Sequence, residues 1–326
     1  MGGALLAART AVAGTPAVAP GTGTPAAAVA TEAASARAGA TGAAAPDAVH
    51  GAPSLLLAPD RLRPGDALLV TVAGAATTPA ASVAGRELRF FPVPGGYEAV
   101  AALPVELEPG TLEVEARLGA PSPAAADASA PAGGATLRAR AEVVAPDFPE
   151  TRLRVAPRFL SPSPAQKRRM KADQAAFVAA FAQPFGPPTF AVPFAPPRQD
   201  EVTAPFGQKR VFNGKKQGQH YGTDLGGALG DPVAASNDGR VVLARDCYAS
   251  GQSVVVSHGA GLFTVYFHLS RMDVKPGDAV RRGQPIGRVG QTGRVTGPHL
   301  HFGVKVGDLY VDPDSVYRLR FGTRGG

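Results

Sequence analysis

The sequence predicts a mostly β protein: a compact antiparallel β domain at the C-terminal end, preceded by a small β-sandwich-like domain and one helix. Three observations carry that expectation. Glycine and proline supply 40 and 32 of the 326 residues, more than a fifth of the chain, against roughly an eighth in ordinary chains. Charged residues make up only 18% and aromatic residues 6%, which does not suit a protein of long helices. Short apolar runs alternate with turn signals along most of the length. Cys247 is the only cysteine, so no internal disulfide can form. No run approaches the ~18 consecutive apolar residues of a membrane-spanning helix.

Taken in order, residues 1–50 are dominated by Ala, Gly, Thr and Pro and cannot bury enough surface to offset their ordering entropy, so a low-complexity leader is expected. Within it, Ala4 to Ala8 is a short apolar run and Ala17-Val18-Ala19 has the A-x-A form of a cleavage site. No Lys or Arg precedes the run, which leaves the export signal weak or truncated. Residues 51–146 read as the sandwich-like accessory domain. Strands are expected at Ser54 to Leu57, Ala67 to Val72, Glu87 to Phe91, Tyr97 to Ala101, Thr111 to Leu118 and Thr136 to Val144. Leu112 to Leu118 shows the period of two of a half-buried strand, and Arg63-Pro64-Gly65-Asp66, Pro94-Gly95-Gly96 and Glu108-Pro109-Gly110 supply turns.

Residues 147–202 read as a helix, about 163–183, and a proline-rich linker. Ser163-Pro164-Ala165-Gln166 is a capping-box start with proline at the first helical position. Met170, Phe177, Val178 and Phe181 are expected on one face, and Pro184 ends the helix. Residues 203–318 form the C-terminal β domain, followed by a tail at 319–326. Strands are expected at Gly239–Ala244, Gln252–Ser257, Phe263–Leu269, Pro285–Val289 and His299–Val306, with turns at Asn237-Asp238-Gly239 and Lys275-Pro276-Gly277-Asp278.

The net charge of +7 lies wholly in the C-terminal third. Residues 1–203 balance at 17 of each sign, whereas 204–326 hold 16 Lys and Arg against 9 Asp and Glu. A basic domain suits a polyanionic partner: nucleic acid, anionic lipid or an anionic cell-wall polymer. Nucleic acid is not expected, because in that third no aromatic residues interleave with the cations and no helix carries them.

The C-terminal β domain also holds five of the six histidines. His220 and Asp224 stand four apart and would share one face of a strand; His299 and His301 stand two apart and would do the same. A catalytic Zn²⁺ site takes three N or O ligands and leaves a fourth position open to water. His220, Asp224 and one histidine of the pair supply that set, with the other histidine beside the water. His268, between apolar neighbours in a strand, reads either as a half-buried core histidine or as an acid/base partner, and His258 as a structural turn residue.

At this point the chain resembles a known family. Over about 203–316 it is similar to the catalytic domain of lysostaphin/LytM-type zinc metallopeptidases, the murein endopeptidase-like enzymes that cut the peptide part of bacterial peptidoglycan. The segments that carry the likeness include Pro205-Phe206-Gly207 with Lys209-Arg210, His220-Tyr221-Gly222-Thr223-Asp224, Gly230-Asp231-Pro232-Val233 and Asp238-Gly239-Arg240-Val241. They continue through Tyr266-Phe267-His268-Leu269-Ser270, Gly287-Arg288-Val289-Gly290 and Thr292 to Phe302.

The resemblance implies that His220, Asp224 and His301 hold one Zn²⁺ per catalytic domain and that His268 and His299 are the catalytic histidines. The implied reaction is hydrolysis of peptidoglycan stem or bridge peptides by metal-activated water with histidine acid/base assistance, in the cell envelope or outside the cell. Cross-links between a D-amino acid and diaminopimelate fit better than glycine bridges. The stretch Phe212 to Gln219 lacks the tyrosine that some glycine-bridge-cutting members carry before the first ligand, so Tyr266, two residues before His268, is the nominated hydroxyl for the oxyanion or substrate. The alternative is a non-catalytic regulator that docks on peptidoglycan and controls another wall hydrolase.

Overall fold

A computed structural model describes residues 52–119, 134–154, 161–214 and 216–322. The leader expected over 1–50 lies outside them, as do 323–326 of the expected tail. The protein is mostly β, and residues 48–326 form one compact unit. Among the described residues no helix is long and apolar enough to cross a membrane.

Two sheets build the sandwich. One has the order β1 (Ser54–Ala58), β3 (Ala67–Ala73), β7 (Gly96–Ala102), β6 (Phe91–Val93); the other has β2 (Arg61–Leu62), β9 (Thr136–Val143), β8 (Gly110–Arg117), β4 (Ala80–Val83), β5 (Arg86–Glu87). Leu112, Val114 and Ala116 of β8 point inward and their neighbours outward, the alternation read from the sequence. They meet Leu68, Val70, Ala99 and Ala101 from the other sheet in a common core. The strand expected at Glu87 to Phe91 is broken in two. The chain passes from one sheet to the other there, and Phe90 and Phe91 enter different cores.

Strands β3 and β7 are buried on both faces, which explains their unbroken apolar runs. Their second face carries Ala67, Leu69, Val100 and Ala102 into a core shared with the C-terminal part of the chain. That part is built on an eight-stranded sheet: β11 (Val202–Ala204), β14 (Thr223–Leu225), β22 (Leu300–Val306), β18 (Leu262–Leu269), β17 (Gly251–Ser257), β16 (Gly239–Cys247) and β20 (Ala279–Val280) in order, with β23 (Leu309–Val311) beside β22. Smaller sheets flank it. In one, β10 (Glu150–Leu153) pairs parallel with β12 (Lys209–Phe212), which pairs with β13 (Lys216–Gln219); in the other, β21 (Pro285–Arg288) lies between β15 (Pro232–Ala234) and β19 (Arg271–Met272).

One face of the large sheet carries Val254, Val256, Tyr266, Phe302 and Val304 into the shared core. The other carries Leu243, Val255, Phe263 and Val265 against helix α1 (Pro164–Phe181). The helix begins as expected. The Ser163 side chain accepts from Gln166 N–H at 3.3 Å and the Gln166 side chain accepts from Ser163 N–H at 2.8 Å. Its buried face differs from the expected one, because Val178 is 63% exposed while Asp173 and Ala180 are buried. The proline-rich segment after it is packed, with Phe190 and Phe194 in the shared core. So is the start of the expected tail: Leu319 is buried and the Phe321 ring meets Phe190 edge-on at 4.9 Å, just past the short helix α2 (Pro313–Tyr317).

Candidate metal centre

Three residues from separate elements converge on the α1-facing side of the large sheet. Asp224 is in β14 and His301 in β22, directly opposite one another in an antiparallel register. His220 is not on a strand with Asp224, as the four-residue spacing suggested. It lies in the turn between β13 and β14, and the chain bends at Gly222 to bring the two side chains together. Gly222 has no room for anything larger: a Cβ there would stand 2.6 Å from His301 Nε2 and 2.7 Å from the Phe302 carbonyl oxygen.

The donor atoms form a tight triangle. His220 Nε2 is 3.0 Å from Asp224 Oδ1 and 3.0 Å from His301 Nδ1, and His301 Nδ1 is 2.8 Å from Asp224 Oδ1. Ligands about 2.0–2.1 Å from a tetrahedral Zn²⁺ are roughly 3.3 Å apart, so the triangle is close to the size such an ion needs. The chemistry fits as well. His220 Nδ1 is 3.0 Å from the Pro205 carbonyl, which can only accept, so that nitrogen carries the proton and Nε2 presents a lone pair. Two ring nitrogens and a carboxylate oxygen facing one point form an electron-rich cluster that a cation would complete.

Electrostatics agree with this arrangement. Burial pushes the Asp224 carboxyl up, but its hydrogen bonds to His220 and His301 and their charge outweigh that and hold it well below the ordinary carboxylate range. Burial pushes the His301 imidazole down despite the Asp224 carboxylate beside it. The second Asp224 oxygen accepts from Arg210 Nη2 at 2.9 Å, and Arg210 Nε donates to Gln208 Oε1 at 3.1 Å. Arg210 is a residue the sequence reading gave no role; an arginine fourteen positions from an aspartate carries no spacing signal.

His299 and His268 stand at the rim of this cluster. His299 precedes β22, joined to Gly290 by an isolated bridge, and its Nε2 is 3.9 Å from Asp224 Oδ1. Its Nδ1 donates to the Gly297 carbonyl at 2.9 Å. His268 Nδ1 likewise donates to the Thr292 carbonyl at 2.9 Å. Both rings therefore carry the Nδ1 proton and keep Nε2 for the site, and their centroids are 5.0 Å apart. His268 is pushed down to about 4 by burial, helped by the neighbouring His301 and His299.

A β-bulge aims His268. Between the pairs Gln252–Leu269 and Val254–Tyr266, β18 has one residue more than β17, and His268 takes the left-handed φ of +64°. Such a bulge re-aims a side chain, and a non-glycine residue in that conformation recurs at functional sites. The bulge also overturns the expectation for Tyr266. Alternation no longer relates it to His268, and Tyr266 faces the shared core, fully buried beside Phe302. Its hydroxyl is 2.8 Å from Ser236 N and 3.0 Å from Thr264 Oγ1 and is not available to a substrate. Phe267 is the residue that faces the site, stacked on His301 at 5.3 Å and 8°. His258 is structural as expected, fully buried between the Asp238 carbonyl and Thr264 Oγ1.

Comparison with known proteins bears on this geometry. Residues 218–313 match the family model of Peptidase family M23. Over 88 residues the chain is 50% identical to the peptidoglycan DD-endopeptidase ShyA of Vibrio cholerae, covering 27% of this chain and 20% of that protein. It is 37% identical over 115 residues to the DD-carboxypeptidase/endopeptidase Mpg of Neisseria meningitidis, covering 35% and 26%. The matched segment thus spans about a fifth to a quarter of these curated relatives. A crystal structure of a candidate M23 peptidase from Pseudomonas aeruginosa superposes with a TM-score of 0.57 at 27% identity, covering 78% of this chain and 94% of that one. Every histidine and carboxylate of the cluster falls within the matched residues, and over 218–313 the chain is a member of Peptidase family M23.

Proposed function

We propose that this protein is a zinc-dependent endopeptidase that hydrolyses peptide cross-links of bacterial peptidoglycan, with 203–318 as its catalytic domain and 51–146 as an accessory one. The observation that carries the reading is the convergence of His220 Nε2, Asp224 Oδ1 and His301 Nδ1, with the free Nε2 atoms of His268 and His299 beside them. Zn²⁺ held by those three residues would supply Lewis acidity and a water acidic enough to react near neutral pH. His268 and His299, each fixed by a backbone carbonyl at Nδ1, take a proton at Nε2 and return it to the leaving amine nitrogen. Arg210 holds the outer oxygen of Asp224, so the inner oxygen stays on the site side. The DD-endopeptidase activity named for ShyA and the DD-carboxypeptidase/endopeptidase activity named for Mpg support a cross-link bond made by a D-amino acid. A peptidoglycan substrate places the working protein in the envelope or outside the cell, where the basic C-terminal third favours approach to an anionic wall.

Digestion of purified cross-linked sacculi by the zinc-loaded protein tests the reading. Mass spectrometry is expected to find new amine termini within stem or bridge peptides, lost with a chelator and lost in His301→Ala. Zinc bound without release from any sacculus type, in a protein that still adheres to the wall, would leave the docking regulator in its place.

A further inference from the structure

The segment Pro205-Phe206-Gly207-Gln208 is a bracket around His220. The Pro205 carbonyl accepts His220 Nδ1–H at 3.0 Å, Gly207 N–H donates to the His220 carbonyl at 2.8 Å, and His220 N–H donates to the Gln208 carbonyl at 3.0 Å. Three of four consecutive residues thus hold His220 by backbone alone, one at its ring and two at its main chain. Gln219 Nε2 adds a donor to the Gly207 carbonyl at 2.6 Å. Phe206 makes none of these bonds. It is 4% exposed, and its ring lies against the sandwich. A Cβ on Gly65 would stand 2.6 Å from Phe206 Cε1 and 3.2 Å from Val105 Cγ1, so the ring fills the space that a glycine leaves in the turn before β3.

That turn is itself rigid. Gly65 has a φ of +88°, Gly65 N–H donates to the Leu103 carbonyl at 3.1 Å, and the Gly65 carbonyl accepts from Asp312 N–H at 2.8 Å. The other side of the bracket is also held: a Cβ on Gly207 would meet the Phe148 ring at 2.2 Å. The bracket is therefore clamped by chain from outside the C-terminal β domain, at Gly65 and Phe148.

We propose that Phe206 is a positioning residue for the candidate metal centre: docked against Gly65, it holds the bracket that sets the tautomer and orientation of His220. The accessory sandwich is then a structural part of the metal site, although it supplies no ligand. The proposal rests on the reading of His220, Asp224 and His301 as ligands. Groups that orient a metal-bound histidine through its second nitrogen are worth about 10–100-fold in metal affinity, and a residue acting one step further out should cost about tenfold.

The test is zinc affinity of the full-length protein, by competition with a chromophoric chelator, together with the absorption spectrum of the cobalt-substituted form and a thermal melt. Phe206→Ala is expected to bind zinc about tenfold more weakly and to show an altered cobalt spectrum. Phe206→Leu, which keeps an apolar plug, is expected to recover most of the affinity. Leu112→Ala, in the sandwich core, controls for lost stability and should keep wild-type affinity at a comparable fall in Tm. Wild-type affinity in Phe206→Ala, or equal losses in Phe206→Ala and Leu112→Ala, would overturn the proposal. Wild-type protein that binds no zinc, or His301→Ala that binds it fully, would instead bring down the ligand reading.

Discussion

His258, fully buried, and His268, half-buried, belong to the same sheet region and are both pushed down to about 4 chiefly by burial, yet only one is open to a proton. His258 Nδ1 donates to the Asp238 carbonyl at 2.6 Å, so a neutral ring must accept at Nε2, and the Thr264 hydroxyl 2.8 Å away is the donor. With its proton so committed, Thr264 is left to accept from Tyr266, whose oxygen accepts from Ser236 N–H. Every group in that chain is satisfied only while His258 is neutral. In the unfolded chain the imidazole regains a pKa near 6.5, so between about 6.5 and 4 the unfolded state binds more protons than the folded one. The stability tied to His258 is therefore complete above about 6.5 and is lost as the pH falls toward 4. The shift corresponds to about 3 kcal/mol. Urea unfolding of the chelator-treated protein between pH 4 and 7 is expected to show this slope, and His258→Gln should be flatter across the same window. His268 adds a slope of the same sign, so the comparison between the two proteins is the quantity that reports His258.

At the scale of elements, helix α1 shows what a local pattern can and cannot say. Its start was legible because a capping box is a local device: Ser163 and Gln166 are three residues apart and satisfy each other. Its buried face was legible only in part: Phe177 and Phe181 pack on the sheet as expected, but Val178 is exposed. The helix docks through Ala176, Ala180, Phe177 and Phe181, with Phe177 edge-on to Phe267 at 5.6 Å and Phe181 edge-on to Phe263 at 5.3 Å. The buried polar position is Asp173, which accepts from Arg245 Nε at 2.9 Å and from Tyr248 N–H at 2.8 Å. Those partners lie more than seventy residues away, so nothing near Asp173 announces them. Asp173→Ala is expected to cost about 2 kcal/mol, since a half-buried backbone N–H and the Arg245 guanidinium lose a charged acceptor; Asp173→Asn, which can still accept, should cost less, and thermal melts of the pair decide it. The candidate metal centre divides in the same way. The residue set of the triangle was legible, but the strand geometry first offered for His220 and Asp224 was not what joins them. The bulge at His268 has no sequence mark, since neither glycine nor asparagine occupies the left-handed position, and so the face of Tyr266 was misread.

The whole molecule is held together by a sheet with no free face. Strands β3 and β7 give Leu68, Val70, Ala99 and Ala101 to the sandwich core, and Leu69, Val100 and Ala102 to the core beneath the large sheet. Polar groups close the same seam. Ala67 N–H donates to Ser315 Oγ at 2.9 Å, Arg63 Nη2 donates to Asp312 Oδ2 at 3.0 Å, and the Glu98 carboxylate accepts from Gly322 N–H at 3.1 Å. Removing residues 1–202 would leave Ser315 and Asp312 without these partners and uncover the apolar side chains that β3, β7, Phe190 and Phe194 now cover. Each large apolar side chain returned to water costs roughly 1.5–3 kcal/mol, and a domain's net stability is only about 5–15 kcal/mol. A fragment of 203–326 is therefore expected not to fold stably alone, although it contains His220, Asp224 and His301 and the two rim histidines His268 and His299. Calorimetry of the full chain should show one cooperative transition spanning sandwich and large sheet, with Leu68→Ala and Leu69→Ala lowering that same transition by about 2–5 kcal/mol each. A fragment with a sharp melt of its own, or a full chain with two separable transitions, would mean that the seam is a docking contact between independent domains and not a common core.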